Sequence, residues 1–269
     1  MNHLAVDCAT EILSVALRCD RDRGSDVLVS VRDAGLRHTR RLMTLVDALL
    51  AEAGMQPADL DLVSCTRGPG SFIGLRIGMA TAKGLAWAVA AARGLEAPPL
   101  VSVPTLDVMA ATVASQTALV VPVIDGKKGR FYGAGYLAGR RMTPDLDLAA
   151  RELLAAAEAG AAEPGAGAAG GEREHHPGAA LREAIITGPH ASRFVEAIAG
   201  APAGGPQTPQ PASHRTLVVD PAARAGWAAT LLGLAEARLT TVGYDEIDRG
   251  PQYVRGSDAE IARASNAGL

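Results

Sequence analysis

Asp7 closes the apolar run Leu4-Ala5-Val6, and Thr10 stands in the turn that follows. A carboxylate at a strand end can hold a metal-bound phosphate while turn amides cradle its oxygens. The same residues also make an ordinary capped turn, and spacing alone favours that reading. A second candidate is Gly68-Pro69-Gly70-Ser71-Phe72-Ile73-Gly74, which enters a helix. Glycines at 68 and 70 allow a sharp turn and close backbone approach, and a helix N-terminus can receive an anion. The segment is neither G-x-x-x-x-G-K-[ST] nor G-x-G-x-x-G. Asp7, Thr10, Gly68 and Gly70 are therefore candidate nucleotide or phosphate contacts on weak local grounds.

The helix after this loop carries two rows of small residues, Gly74, Gly78, Ala82 and Ala80, Gly84, Ala88. Such rows let another helix or strand approach closely. The neighbour can belong to the same chain or to a partner, and the pattern does not separate the two. His38 is followed four residues later by Leu42, not by a second histidine, which argues against a helical metal site. His175-His176 falls in a low-complexity stretch. The basic groups Arg37, Arg40, Arg41 and Lys127, Lys128, Arg130 read as solvated faces. No Ser-His-Asp or Cys-His signature occurs, so no catalytic and no metal residue is assigned.

The elements that must position these residues recur twice. Strands are expected at 4–6, 14–17 and 27–31, a meander. A helix from Thr39 to Ala53 follows, ended by Gly54. Next come a strand at 62–66, a helix from about Leu75 to Ala92, and a strand at 100–103. Pro104 at the first helical position opens another helix. The order then repeats. Val120 to Ile124 ends at Asp125, and Phe131 to Ala134 follows a polar turn. Ile185-Ile186-Thr187-Gly188-Pro189 mirrors Val63 to Pro69 ahead of a helix at 191–199. The offsets are 118 residues from Asp7 to Asp125 and 121 from Thr66 to Thr187, which indicates an internal duplication. Asp220-Pro221 is expected to open a last helix running to Arg238, with Trp227, Leu231 and Leu234 on its buried face.

The expected organisation is an N-terminal lobe at 1–103, a C-terminal lobe at 104–255 and a polar tail at 256–269. Ala/Gly/Glu/Pro-rich and Pro/Gly/Gln-rich insertions near 155–180 and 201–214 hold too little apolar surface to offset their ordering entropy.

The bulk numbers fit one large or two ordinary domains: 269 residues, 48% hydrophobic, only 3% aromatic. A net charge of −3 gives no overall basic footprint for holding nucleic acid alone. Cys8, Cys19 and Cys65, odd in number and without C-x-x-C, read as buried free thiols of a reducing compartment. No signal peptide and no membrane-spanning run is expected, so the location is expected to be cytoplasmic.

Thr66 through Gly78 closely resembles the signature of the TsaB (YeaZ) family, with Ile73 where that family commonly has Thr. Val6 to Thr10, Arg37-His38-Thr39, Ser102 to Leu106, Ile124 to Tyr132, Pro251 to Arg255 and Asp258-Ala259-Glu260 resemble further family segments in order. Cys8, Gly126, Lys127 and Arg130 are departures. The resemblance implies an α/β, duplicated actin/hexokinase-like (ASKHA) two-lobed fold, mixed sheets with flanking helices. It implies a non-catalytic accessory subunit in making threonylcarbamoyladenosine on tRNAs that read A-starting codons. The implied partners are the TsaD paralogue, which carries the metal and the transferase site, and the ATPase TsaE. TsaC is linked by function, and tRNA is met through the complex. No cofactor of its own is implied; ATP and Mg belong at the interface with TsaD or come through TsaE. The partner face falls on the first two long helices, at Leu42, Leu45, Val46, Leu49, Gly74, Gly78 and Ala82, and the same face can form a homodimer. The competing reading is a stand-alone small-molecule kinase of the same fold.

Overall fold

Alternation and turn chemistry set the first sheet. In the computed structural model, which describes residues 1–21, 24–35, 38–113, 115, 118–162, 183–200 and 216–254, β1 (His3–Asp7) is buried throughout. It pairs antiparallel with β2 (Ile12–Arg21), Leu4 opposite Leu17 and Val6 opposite Val15. β2 pairs antiparallel with β3 (Gly24–Asp33) without a register break. Both strands run longer than the apolar runs suggest, because their outer ends are polar and are held by the ladder and by bonds such as Arg21 Nη2–H to Ala53 O at 3.3 Å. β4 (Leu62–Thr66) and β5 (Leu100–Val103) add in parallel, giving the order β3-β2-β1-β4-β5.

α1 (His38–Ala53) buries Leu42, Val46 and Leu49 on this sheet and ends at Gly54, whose φ of 69° is left-handed. α2 (Phe72–Arg93) starts three residues earlier than its apolar periodicity suggests. The reason is Ser71, whose Oγ accepts the Gly74 N–H at 3.2 Å and caps the helix. This unit comprises residues 1–105 together with 231 onward.

The second unit, residues 106–230, repeats the plan. α3 (Thr105–Ala111) leads into it, with Thr105 as its first residue and Pro104 just outside. β6 (Leu119–Lys127) pairs antiparallel with β7 (Arg130–Gly133). β8 (Tyr136–Leu137) and β9 (Arg140–Arg141) form a small side ribbon on β6. β10 (Leu146–Ala149) lies on β7, followed by α4 (Ala150–Ala162), β11 (Glu183–Thr187), α5 (Ala191–Gly200) and β12 (Thr216–Val219). The order β10-β7-β6-β11-β12 matches the first sheet position by position, with the same parallel and antiparallel pairs. The duplication expected from the offsets is present, and the fold is the duplicated actin/hexokinase-like one.

Three expectations need correction. The insertion taken to begin at 155 is helical to Ala162, where Ala157, Glu158 and Ala161 are buried against the second unit. The rest of that insertion, the one at 201–214 and the tail at 256–269 lie outside the described residues. The last helix, α6 (Ala228–Val242), begins seven residues after Pro221. Asp220 turns the chain there by accepting the Ala222 N–H at 2.9 Å, a local turn that competes with helix. Finally, residues from 231 onward group with the first unit rather than with 104–230. Asp245 explains why: its carboxylate accepts Ser102 N–H at 2.6 Å and Arg238 at 3.0 Å, and its own N–H bonds Leu100 O at 2.8 Å.

Candidate functional site

Asp7 is fully buried at the end of β1. Its Oδ1 accepts the Thr66 hydroxyl at 2.7 Å and the Ala9 N–H at 3.1 Å. Its Oδ2 is buried without a hydrogen-bond partner among the described residues. Burial pushes the carboxyl up to about 6, and the Thr66 and Ala9 hydrogen bonds only partly oppose this. Thr10, also buried, accepts the Ile12 N–H at 3.2 Å and so makes a turn.

The glycine loop is closed against the chain's own backbone. A Cβ on Gly70 would stand 2.3 Å from Ala9 O, one on Gly68 2.1 Å from Gln252 O, and one on Gly74 2.1 Å from Cys8 O. Glycine is therefore required by close approach, and at 68 also by a φ of 121°. Three of the loop amides are committed: Gly68 N–H to Thr105 Oγ1 at 3.1 Å, Ser71 N–H to Ala9 O at 2.6 Å, Gly74 N–H to Ser71 Oγ at 3.2 Å. A phosphate cradle needs free N–H donors. What faces these glycines is instead carbonyl oxygen, which repels an anion. Asp7, Thr10, Gly68 and Gly70 thus come together in one clasp closed by the chain's own backbone.

The seven residues assigned to a partner face divide sharply. Leu42, Val46, Leu49, Gly74, Gly78 and Ala82 are buried in the first unit, and Leu45 is half-buried. Gly78 shows the reason: a Cβ there would meet Cys8 Cβ at 3.1 Å, so the Gly74-Gly78-Ala82 row seats α2 on the β1 turn. These six residues are part of the first unit's packed interior. The opposite face of α2 is the open one. Ile73 (63% exposed), Ala80, Gly84, Trp87 (55% exposed) and Ala91 fall within one narrow stripe of the helical wheel. The stripe is about 27 Å long at the rise of an α-helix and carries no charge. Half-buried Ile77 lies beside it, and Met43 on α1 is 42% exposed.

Sequence reading missed Trp87, although its helical phase lies about 40° from that of Ile73. It also missed the seat of the chain after α6. Tyr253 stacks near Phe72 with ring centroids 4.9 Å apart, and its hydroxyl accepts Arg76 Nε–H at 3.0 Å. The Arg76 guanidinium lies 3.7 Å from the Phe72 ring centre. This cluster fixes the N-terminal end of the stripe. The side chain of His38 lies outside the described residues.

In the second unit Asp125 occupies the place of Asp7. Burial pushes its carboxyl up, but the Lys127 amide and ammonium and the Arg193 guanidinium outweigh burial and hold it below the ordinary value. Lys127 Nζ lies 3.1 Å and Arg193 2.5 Å from Oδ2. Arg130 pairs with Asp147 at 2.9 Å. No helix among the described residues is long and apolar enough to cross a membrane. Cys8, Cys19 and Cys65 are free and buried.

A family model described as TsaD, tRNA N6-adenosine threonylcarbamoyltransferase, matches residues 31–171. The tRNA threonylcarbamoyladenosine biosynthesis protein TsaB of Escherichia coli (strain K12) is 36% identical over 138 residues, 51% of this chain and 55% of that protein. The protein of the same name from Bacillus subtilis (strain 168) is 30% identical over 136 residues, again 51% and 55%. The chain thus spans about half the length of the curated relatives it matches. YeaZ from Pseudomonas aeruginosa has a TM-score of 0.63 at 22% identity, over 94% of this chain and 99% of that one, and shares the fold.

Proposed function

The chain belongs to the family described as TsaD, tRNA N6-adenosine threonylcarbamoyltransferase, in its TsaB (YeaZ) group, and from that membership we propose that it is a non-catalytic accessory subunit of threonylcarbamoyl transfer to the adenosine beside the anticodon. The observation that carries the reading is the charge-free stripe on α2, with Ile73 and Trp87 exposed and the small residues Ala80 and Gly84 between them. An exposed aromatic anchor beside small residues is what a helical partner needs for close packing. Ile73, where the family commonly has Thr, adds apolar surface there.

The partner is a TsaD paralogue, with TsaE joining the pair and TsaC supplying the activated threonylcarbamoyl group. The His-x-x-x-His pair of the catalytic paralogue is replaced here by His38 and Leu42, which supports the division of labour. ATP and Mg enter through the pair or through TsaE, consistent with the closed glycine loop. A net charge of −3 leaves the grip on tRNA to the assembled complex. The setting is the cytoplasm.

The test is reconstitution from TsaC, TsaD, TsaE, tRNA, threonine, bicarbonate and ATP, with and without this chain. Modification should appear only when the chain is present. Trp87→Glu should abolish it while leaving the circular dichroism spectrum unchanged. Modification indifferent to the chain's omission would overturn the accessory role, and stoichiometric nucleotide binding by the isolated chain would favour the kinase.

A further inference from the structure

β3 stands at the edge of the first sheet, outside β2, so one side of its backbone has no strand on it among the described residues. Edge strands are usually guarded by short length, lysine, proline or a bulge. β3 is ten residues long, contains neither lysine nor proline, and keeps an unbroken register with β2 from Asp33 to Gly24. Two of its valines are unusually open: Val27 is 45% and Val29 47% exposed. They share a face with Val31, while Leu28 on the other face packs into the core.

We propose that this edge pairs with the same edge of a second copy of the chain, antiparallel about a twofold axis at Val29. A twofold perpendicular to the sheet keeps each side chain on its own face, so only residues of equal parity can oppose each other. With Val29 opposite itself, Val27 opposes Val31 and forms an all-valine ladder with its symmetry mate. The same register sets Asp26 opposite Arg32, twice. Registers centred on Leu28 or Ser30 oppose no opposite charges and set Asp26 against Ser30 or Ala34. Cross-strand pairs of opposite charge and of β-branched residues both favour a sheet. Among the described residues Asp26 has the exposed Arg21 as its ion partner, at 3.4 Å, and Arg32 bonds the Val31 carbonyl at 2.7 Å. Both can therefore be recruited across the edge. The pairing uses no residue of the α2 stripe, so it is independent of the proposed tRNA role and compatible with a partner on that helix.

The test uses the full chain carrying Trp87→Glu, which removes self-association through α2. Sedimentation velocity across a concentration series should show a reversible dimer. Asp26→Arg or Arg32→Asp alone should weaken it about tenfold, and the two together should restore it. Val29→Cys should give a disulfide-linked dimer under mild oxidation, since the native thiols are all buried. Val27→Cys should give several-fold less, because its mate lies about 14 Å further along the strand. A chain that stays monomeric at every concentration would overturn the proposal. So would equal cross-linking from both cysteines, or a double charge swap no better than either single one.

Discussion

Replacing Asp7 by Asn should make the protein more stable at high pH and not at low pH. The carboxyl of Asp7 is lifted from 3.8 to about 6 by burial. The sign follows directly. The folded state holds the proton more tightly than the unfolded chain does, so folding is penalised wherever the group must ionise. The penalty is absent well below 3.8, grows between 3.8 and 6, and is complete above that, at about 3 kcal/mol. Asn keeps the acceptor for Thr66 and Ala9 but places an amide where Oδ2 now lies, and an unmet donor there costs about 1 kcal/mol or more. The net gain near pH 8 is then about 1–2 kcal/mol. The steric and amide terms do not depend on pH, so they cancel when the mutant-minus-parent difference at pH 4 is subtracted from that at pH 8. What remains should be about 2.5 kcal/mol. Urea unfolding at both pH values measures it, with an unchanged m value as the condition for comparison. A difference that is flat with pH, or that favours the parent at pH 8 relative to pH 4, would refute the claim that Asp7 is buried and unpaired.

Two glycines of α2 should respond oppositely to the same change. Gly74→Ala drives a Cβ to 2.1 Å from Cys8 O and should cost about 3 kcal/mol or more, whereas Gly84→Ala meets nothing within 4 Å and should stabilise by about 0.5–1 kcal/mol in thermal unfolding. Asp245→Ala leaves Arg238 and the Ser102 N–H without their buried partner and should cost about 3 kcal/mol by urea unfolding at pH 7. Burial pushes the Asp245 carboxyl up, yet Ser102 and Arg238 outweigh it and hold it below 3.8, so its contribution exists above 3.8 and should fade as pH drops through the lower folded value.

Much of the fold could be read from the residues. β4 and β5 end where the apolar runs end, because both are buried parallel strands whose every residue is apolar or small. The two lobes were visible in the offsets of Asp7 and Thr66 from Asp125 and Thr187, since a repeated topology repeats its strand-end residues. What failed was local competition. Asp220-Pro221 carries a helix-start pattern, but its Asx turn wins, and α6 waits until Ala228. Ala155 to Ala162 looked like low-complexity sequence, yet alanine is the best helix former and Leu153, Leu154 and Ala157 supply a buried face. At the site, periodicity gave two small-residue rows on α2 without saying which faces the sheet. That depends on where Cys8 lies, a contact between positions 70 residues apart in sequence. The residues assigned to the outer face were consequently those of the inner one.

The buried carboxyl of Asp7 and the open stripe on α2 lie on either side of one loop closure. Asp125, in the equivalent position, has a lysine and an arginine at its carboxylate. Asp7 has neither among the described residues, and the loop from Gly68 to Gly74 closes onto Ala9 and Cys8 just after it. That closure seats Gly74 and Gly78 on the β1 turn, which fixes the rotation of α2 about its own axis. A helix fixed in that rotation with one glycine-and-alanine row inward must present the row on its opposite side outward, and with it Ile73 and Trp87. The conformational demands of Gly68-Pro69-Gly70-Ser71 are thus met by packing within the chain, and their consequence is read on the far side of the helix. With its backbone packed on Ala9 and Cys8, the loop holds α2 in one rotation.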